Sequence, residues 1–125
     1  MQTLTVVVIT RNEEDNLADC LDSVAFANEI VVVDDGSTDS TREIAARYTD
    51  KVFSRELDRF GRQKQFAIEQ ATRDWILVLD ADERLSKRLA ESIGAKLELY
   101  SSPGVGTRAL LTVPIQRVGE DRESG

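Results

Sequence analysis

Leu4 to Ile9 reads LTVVVI, apolar at five of six positions and without the alternation that would turn one face to water. A short run this rich in β-branched side chains fits a strand buried on both faces, the usual condition inside a parallel sheet. Four more runs repeat the signal: EIVVV (Glu29 to Val33), KVFS (Lys51 to Ser54), WILVL (Trp75 to Leu79) and ALLTVPI (Ala109 to Ile115). Helical patterns fill the intervals. In NEEDNLADCLDSV, Asn12 is expected to cap a helix with Asp15 three residues on, while Leu17, Cys20, Leu21 and Val24 fall on one side. Ser40 to Tyr48, Arg62 to Ala71 and Ser86 to Tyr100 carry further apolar helical faces. Strict alternation of strand and helix predicts an α/β fold: Rossmann-like βαβ units, a mainly parallel twisted sheet and right-handed crossovers. A domain over residues 1–115 is expected, followed by a polar tail, 116–125.

Bulk properties narrow the function. The 125 residues suit one domain, and 41% hydrophobic with 31% charged residues is ordinary for a folded chain. A net charge of −7 with no histidine disfavours a nucleic-acid partner, because the 16 Lys and Arg residues show no clustering. Cys20, the single cysteine, cannot form an internal disulfide and lies within an apolar helical pattern, so it reads as a packing residue in a reducing compartment. The first apolar run is too short for a signal h-region or a membrane span, and the expected location is cytoplasmic.

In an open parallel sheet the ligand crevice lies outside the carboxyl ends of the strands. There the chain places Thr10, Arg11, Asn12 and Glu13 after the first strand, and Asp34, Asp35, Gly36, Ser37 and Thr38 after the second. Asp80, Ala81 and Asp82 follow the fourth. An Asp-x-Asp triplet carries little information alone. At the end of an apolar strand, however, paired carboxylates cost desolvation and repulsion unless a cation or hydrogen-bond donors offset them. Without histidine, such a site must use oxygen ligands, which suits Mg²⁺ or Mn²⁺ completed by water and substrate phosphates. A nucleoside diphosphate would fit that ion, and Asp35 could accept hydrogen bonds from its base or ribose.

VVVITRNEE, IVVVDDGSTDST, FGRQKQFAIEQA and WILVLDADE, in this order, resemble the nucleotide-sugar-binding half of family 2 glycosyltransferases with the GT-A fold. More narrowly, TRNEE and FGRQKQFA resemble the branch of lipopolysaccharide-core or lipooligosaccharide β-1,4-glucosyltransferases. The resemblance covers about residues 3–100 and implies a floor of the nucleotide pocket around Ile9, Thr10, Asn12 and Glu13. It implies that Asp35 hydrogen-bonds the uracil, Asp34 supports that turn, Lys64 faces the diphosphate, Asp80 approaches the ribose side, and Ala81 belongs to the same nucleotide-sugar-binding set. Asp82, with Asp80 beside it, would hold the divalent metal. The implied reaction is inverting transfer from a UDP-sugar to a glycan or lipid-linked acceptor, at the inner face of the cytoplasmic membrane if the association is peripheral. In the family the catalytic base and acceptor site come from a second half. The chain is therefore expected to be a truncated glycosyltransferase whose uncovered face would favour self-association. Glu120 and Asp121 spell an acidic pair but follow Asp82 too closely to be that base.

Other classes fit less well. A non-catalytic nucleotide-sugar-binding module keeps the crevice and stays open as an alternative. A phosphoacceptor receiver-like domain would need its acidic pair after the first strand and a lysine after the last. A dinucleotide-binding oxidoreductase needs a glycine-rich first turn, and TRNEEDN has no glycine. The nucleotidyltransferase-like GVGTR, Gly104 to Arg108, occurs far from the first strand.

Overall fold

One strand is hydrogen-bonded on both edges along nearly its whole length. In the computed structural model, which describes residues 3–55, 60–99, 109–110 and 116–117, strand β1 (Leu4–Thr10) pairs in parallel with β2 (Glu29–Asp34) on one side and β4 (Trp75–Asp80) on the other. Strand β3 (Val52–Ser54) lies beyond β2 and β6 (Ala109–Leu110) beyond β4, so the order is β3-β2-β1-β4-β6, all parallel. The α/β class expected from the alternation is the one observed. Chain order runs outward from β1 through β2 to β3, then returns to β4 on the opposite edge. That reversal makes the gap between β1 and β4 the topological switch point.

Strand alternation divides the core into two layers. Leu4, Val6 and Val8, with Val32, Leu77 and Leu79, pack beneath helices α1 (Leu17–Ser23), α2 (Thr41–Ala46) and α4 (Lys87–Leu99) through Leu17, Cys20, Leu21, Ala45, Ile93 and Leu97. Val7, Val31, Val33 and Ile76 face the other way, against Ala67 of α3 (Phe60–Glu69) and Ala71 just beyond it.

Several boundaries differ from expectation. Helix α1 begins at Leu17, and Asn12 does not cap it; the turn before it is closed by Asn16 and Leu17 N–H groups donating to the Glu13 carbonyl at 3.0 and 2.9 Å. Asn12 has φ of 51°, in the left-handed region, and serves another purpose described below. A two-residue strand β5 (Glu83–Arg84) was not foreseen; it pairs antiparallel with β7 (Gln116–Arg117), so the expected polar tail starts with two paired residues. Of the last expected strand, Ala109–Leu110 is observed, whereas residues 111–115 lie outside the described residues, as do Tyr100, Gly104 to Arg108, Glu120 and Asp121.

The amino end of the sheet is fastened by one carboxylate. Glu29 opens β2 with only 7% of its surface exposed. It accepts hydrogen bonds from Thr5 Oγ1 at 2.5 Å and from Thr72 N and Oγ1, both at 2.9 Å, and it pairs with Lys51 Nζ. Burial alone would raise its pKa; the donors from Lys51, Thr5 and Thr72 outweigh burial and push it down to about 2 from an ordinary value of 4.5. Because the folded-state value is depressed, this contribution is complete above pH 4.5 and is lost as pH falls from 4.5 toward 2. The shift corresponds to roughly 3 kcal/mol. Urea melts of Glu29→Gln are expected to show a loss of about that size at pH 7 and a flatter pH dependence below 4.5. Equal stability of the two proteins at both pH values would contradict this role.

Candidate active site

Backbone pairing continues for one residue past each strand and brings three loops together. Asp35 N donates to Thr10 O at 2.9 Å, Ala81 N to Ile9 O at 3.1 Å, and Arg55 N to Asp34 O at 2.8 Å. Apart from Lys64, the residues named from sequence therefore start from neighbouring strand ends, around the switch point between β1 and β4. Lys64 is exposed on α3, and by strand alternation Asp80 shares the α3 side of the sheet with Ile76 and Val78.

The first two loops are laced to each other. Asn12 N donates to Ser37 Oγ at 2.8 Å, and Asn12 Oδ1 accepts from Thr38 N at 2.8 Å. Glu13 N donates to Thr41 Oγ1 at 2.9 Å, and Ser40 N donates to Glu14 Oε1 at 3.0 Å. The positive φ at Asn12 turns its amide into this contact, and asparagine tolerates that conformation better than most residues. Asp34 is wholly buried and builds the second loop from inside: it accepts from Ser37 N at 2.9 Å and from Ser37 Oγ, with Arg42 Nε at 3.8 Å. Gly36 supplies the φ of 63° that this tight turn requires. Asp39, one residue before the N-cap Ser40, accepts from Thr41 N at 2.9 Å and from the Thr41 hydroxyl at the start of α2, and these donors hold its carboxyl below the ordinary value.

Asp80 and Asp82 are both half-buried. Behind them the Cys20 thiol is fully buried, and its pKa is pushed up to about 12, first by burial and then by the field of Glu83, Asp82, Asp80 and Glu13. Carboxylates from the first and fourth loops thus act on one buried point, and Cys20 is an inert thiol that belongs to packing. Among the described residues no group of three or more His, Cys, Asp or Glu side chains is gathered to hold a metal alone. One or two carboxylates with an open remainder is the arrangement Mg²⁺ or Mn²⁺ takes when substrate phosphates complete the shell, so the donor set fits such an ion. Among the described residues, Thr10 Oγ1 at the end of β1 and Gln63 Oε1 on α3 are buried without a hydrogen-bond partner.

Ser37, Thr38 and Thr41 were not singled out as loop partners from sequence, although the Asp, Ser and Thr density of DDGSTDST carries the side-chain-to-backbone signal. Arg55 and Gln63 were missed entirely. Gln63 Nε2 donates to Arg55 O at 2.9 Å, and the Arg55 guanidinium lies 4.5 Å over the Phe66 ring, joining the end of β3 to α3. No local pattern marks either contact.

A parallel doubly wound sheet with carboxylates at its switch point defines an α/β domain of the class in which ligand crevices lie at the strand carboxyl ends. Its family follows from comparison: residues 5–101 match the Glycosyl transferase family 2 pattern, and the chain belongs to that family. It is 40% identical over 93 residues to the lipopolysaccharide core biosynthesis glycosyltransferase LpsC of Rhizobium meliloti, covering 70% of this chain and 34% of LpsC. An uncharacterized glycosyltransferase of Rickettsia typhi is 38% identical over 94 residues, 74% of this chain and 32% of that protein. The chain thus spans about a third of the length of these relatives. Among solved structures, glucosyl-3-phosphoglycerate synthase from Mycobacterium tuberculosis, in complex with Mn²⁺, UDP and glucosyl-3-phosphoglycerate, superposes with a TM-score of 0.63. Its sequence is 25% identical, and the match covers 77% of this chain and 40% of that one. Among the described residues no helix is long and apolar enough to cross a membrane.

The lacing gives a graded expectation for Asn12. Asn12→Ala loses the Thr38 bond and strains the left-handed backbone, costing about 1–2 kcal/mol in chemical denaturation; Asn12→Gly relieves the strain and costs about half as much. Alanine and glycine variants of equal stability would show that the backbone conformation carries no cost.

Proposed function

We propose that this chain forms the donor-binding part of a metal-dependent glycosyltransferase that takes a sugar from UDP and passes it to a hydroxyl of a glycan or lipid-linked acceptor. The observation that carries the reading is the convergence of the laced β1 and β2 loops with Asp80 and Asp82 at the switch point. Family membership and the likeness to a synthase solved with UDP and Mn²⁺ support it.

In this reading Ile9, Thr10, Asn12 and Glu13 form the pocket floor. Asp35 accepts from uracil while Asp34, saturated by Ser37, keeps that turn in shape. Asp80 and Ala81 meet the ribose side, and Lys64 faces the diphosphate. Asp82, helped by Asp80, holds Mg²⁺ or Mn²⁺, which would neutralise charge on the departing diphosphate. Inversion at the anomeric carbon requires attack opposite the leaving group by a hydroxyl whose proton is taken by a base. That base is assigned to none of these residues. The similarity to LpsC supports an acceptor in lipopolysaccharide core assembly, worked on in the cytoplasm at the inner face of the membrane.

Calorimetry with UDP tests the reading directly. Binding is expected to strengthen on adding Mn²⁺, and Asp82→Ala is expected to remove that gain, at least a tenfold change, or about 1.4 kcal/mol. Absence of UDP binding by a folded sample with Mn²⁺ present would refute the donor site.

A further inference from the structure

The turn that carries Asp80 and Asp82 is fixed by groups on its reverse side. Asp80 N donates to Glu83 Oε1 at 2.7 Å, closing the turn through the carboxylate three residues ahead. The carbonyl of the same residue, Asp80 O, accepts a long contact from the buried Cys20 Sγ at 3.9 Å. One turn further along α1, Ser23 Oγ donates to Cys20 O at 2.7 Å and accepts from Leu85 N at 3.0 Å. Both peptide groups of Asp80, and the amide that ends the segment at Leu85, are therefore held by side chains of α1 and by Glu83. Because a carboxylate follows its own backbone, fixing these peptides fixes where Asp80 and Asp82 can reach.

We propose that Glu83 and Ser23 are positioning residues: Glu83 holds the Asp80 amide and Ser23 the Leu85 amide, so that Asp80 and Asp82 meet the divalent cation and diphosphate without first being ordered. This rests on the donor-site reading above. The role asked of Glu83 is that of a hydrogen-bond acceptor, which an amide oxygen can fill, whereas a ligand to the cation would need the carboxylate charge. Groups that orient metal ligands from behind typically change affinity by about 10-fold or more when removed.

The test compares Glu83→Gln, Glu83→Ala and Ser23→Ala by Mn²⁺-dependent UDP calorimetry, thermal melting and amide hydrogen exchange at Asp80. In the presence of Mn²⁺, Glu83→Gln is expected to bind UDP within about 3-fold of the parent, and Glu83→Ala to lose about 10-fold. Ser23→Ala is expected to lose about 3-fold or more while still melting cooperatively, and it stands in if Glu83→Ala does not fold. Glu83→Gln binding as poorly as Glu83→Ala would make Glu83 a charge contact and overturn the proposal. So would parent-like binding by Glu83→Ala, or by Ser23→Ala where it stands in. If the parent shows no metal-dependent binding, the donor-site reading fails separately and exchange decides. Asp80 protection kept in Glu83→Gln and lost in Glu83→Ala supports positioning, and equal protection in both overturns it.

Discussion

Burial of β1 on both faces, with both of its edges hydrogen-bonded, is the constraint on which the other elements depend. Val6, Val7 and Val8 have no exposed surface, and removing each such side chain from water contributes about 1.5–3 kcal/mol. To cover both faces the chain must send helices to each side, and right-handed crossovers then leave every strand pointing the same way. A central strand with no solvated face has only its ends for polar groups. The polar ends of β1, β2 and β4 collect on one rim as a consequence of that burial.

The two rims treat carboxylates differently. At the amino end Glu29 receives donors from Thr5, Thr72 and Lys51, so its charge is met from within the chain, and the result is a clamp across β1, β2 and the segment leading into β4. Asp34, at the carboxyl end of β2, is satisfied in a similar way by Ser37 and has become part of the scaffold. Past β4, Glu83, Asp82 and Asp80, joined by Glu13, all raise the Cys20 thiol in the same sense. In the donor-site reading, a divalent cation would bring the opposite charge to this rim.

Much of this was legible in the sequence because strand periodicity and strand-end composition are local signals. LTVVVI, EIVVV and WILVL gave their positions to within a residue, and the polar and acidic residues after them could only fall on the rim. What was not legible depended on partners distant along the chain. Asn12 has the composition of a helix cap, yet its carbonyl oxygen is taken by Thr38, 26 residues away, and α1 starts at Leu17 instead. β5 and β7, two residues each, are too short to show a period. Glu29 reads as an ordinary charged strand start; its burial becomes visible only once Thr5, Lys51 and Thr72 converge on it.

In the donor-site reading, hydrogen bonds between loops let a rim built from separate segments meet one ligand. Loops held mainly by water would have to be ordered on binding, at an entropic cost for each immobilised side chain. Here the β1 and β2 loops satisfy one another through Ser37, Thr38 and Thr41, and the β4 loop is held by α1 and its own Glu83. The residues from Ile9 to Asp82 that form the rim all fall within the stretch matching the family, 5–101, and their spacing is set by sheet register. Changes at the far ends of the helices can therefore leave the rim undisturbed, whereas a one-residue slip of β4 against β1 would turn Asp80 to the opposite face and break the rim apart.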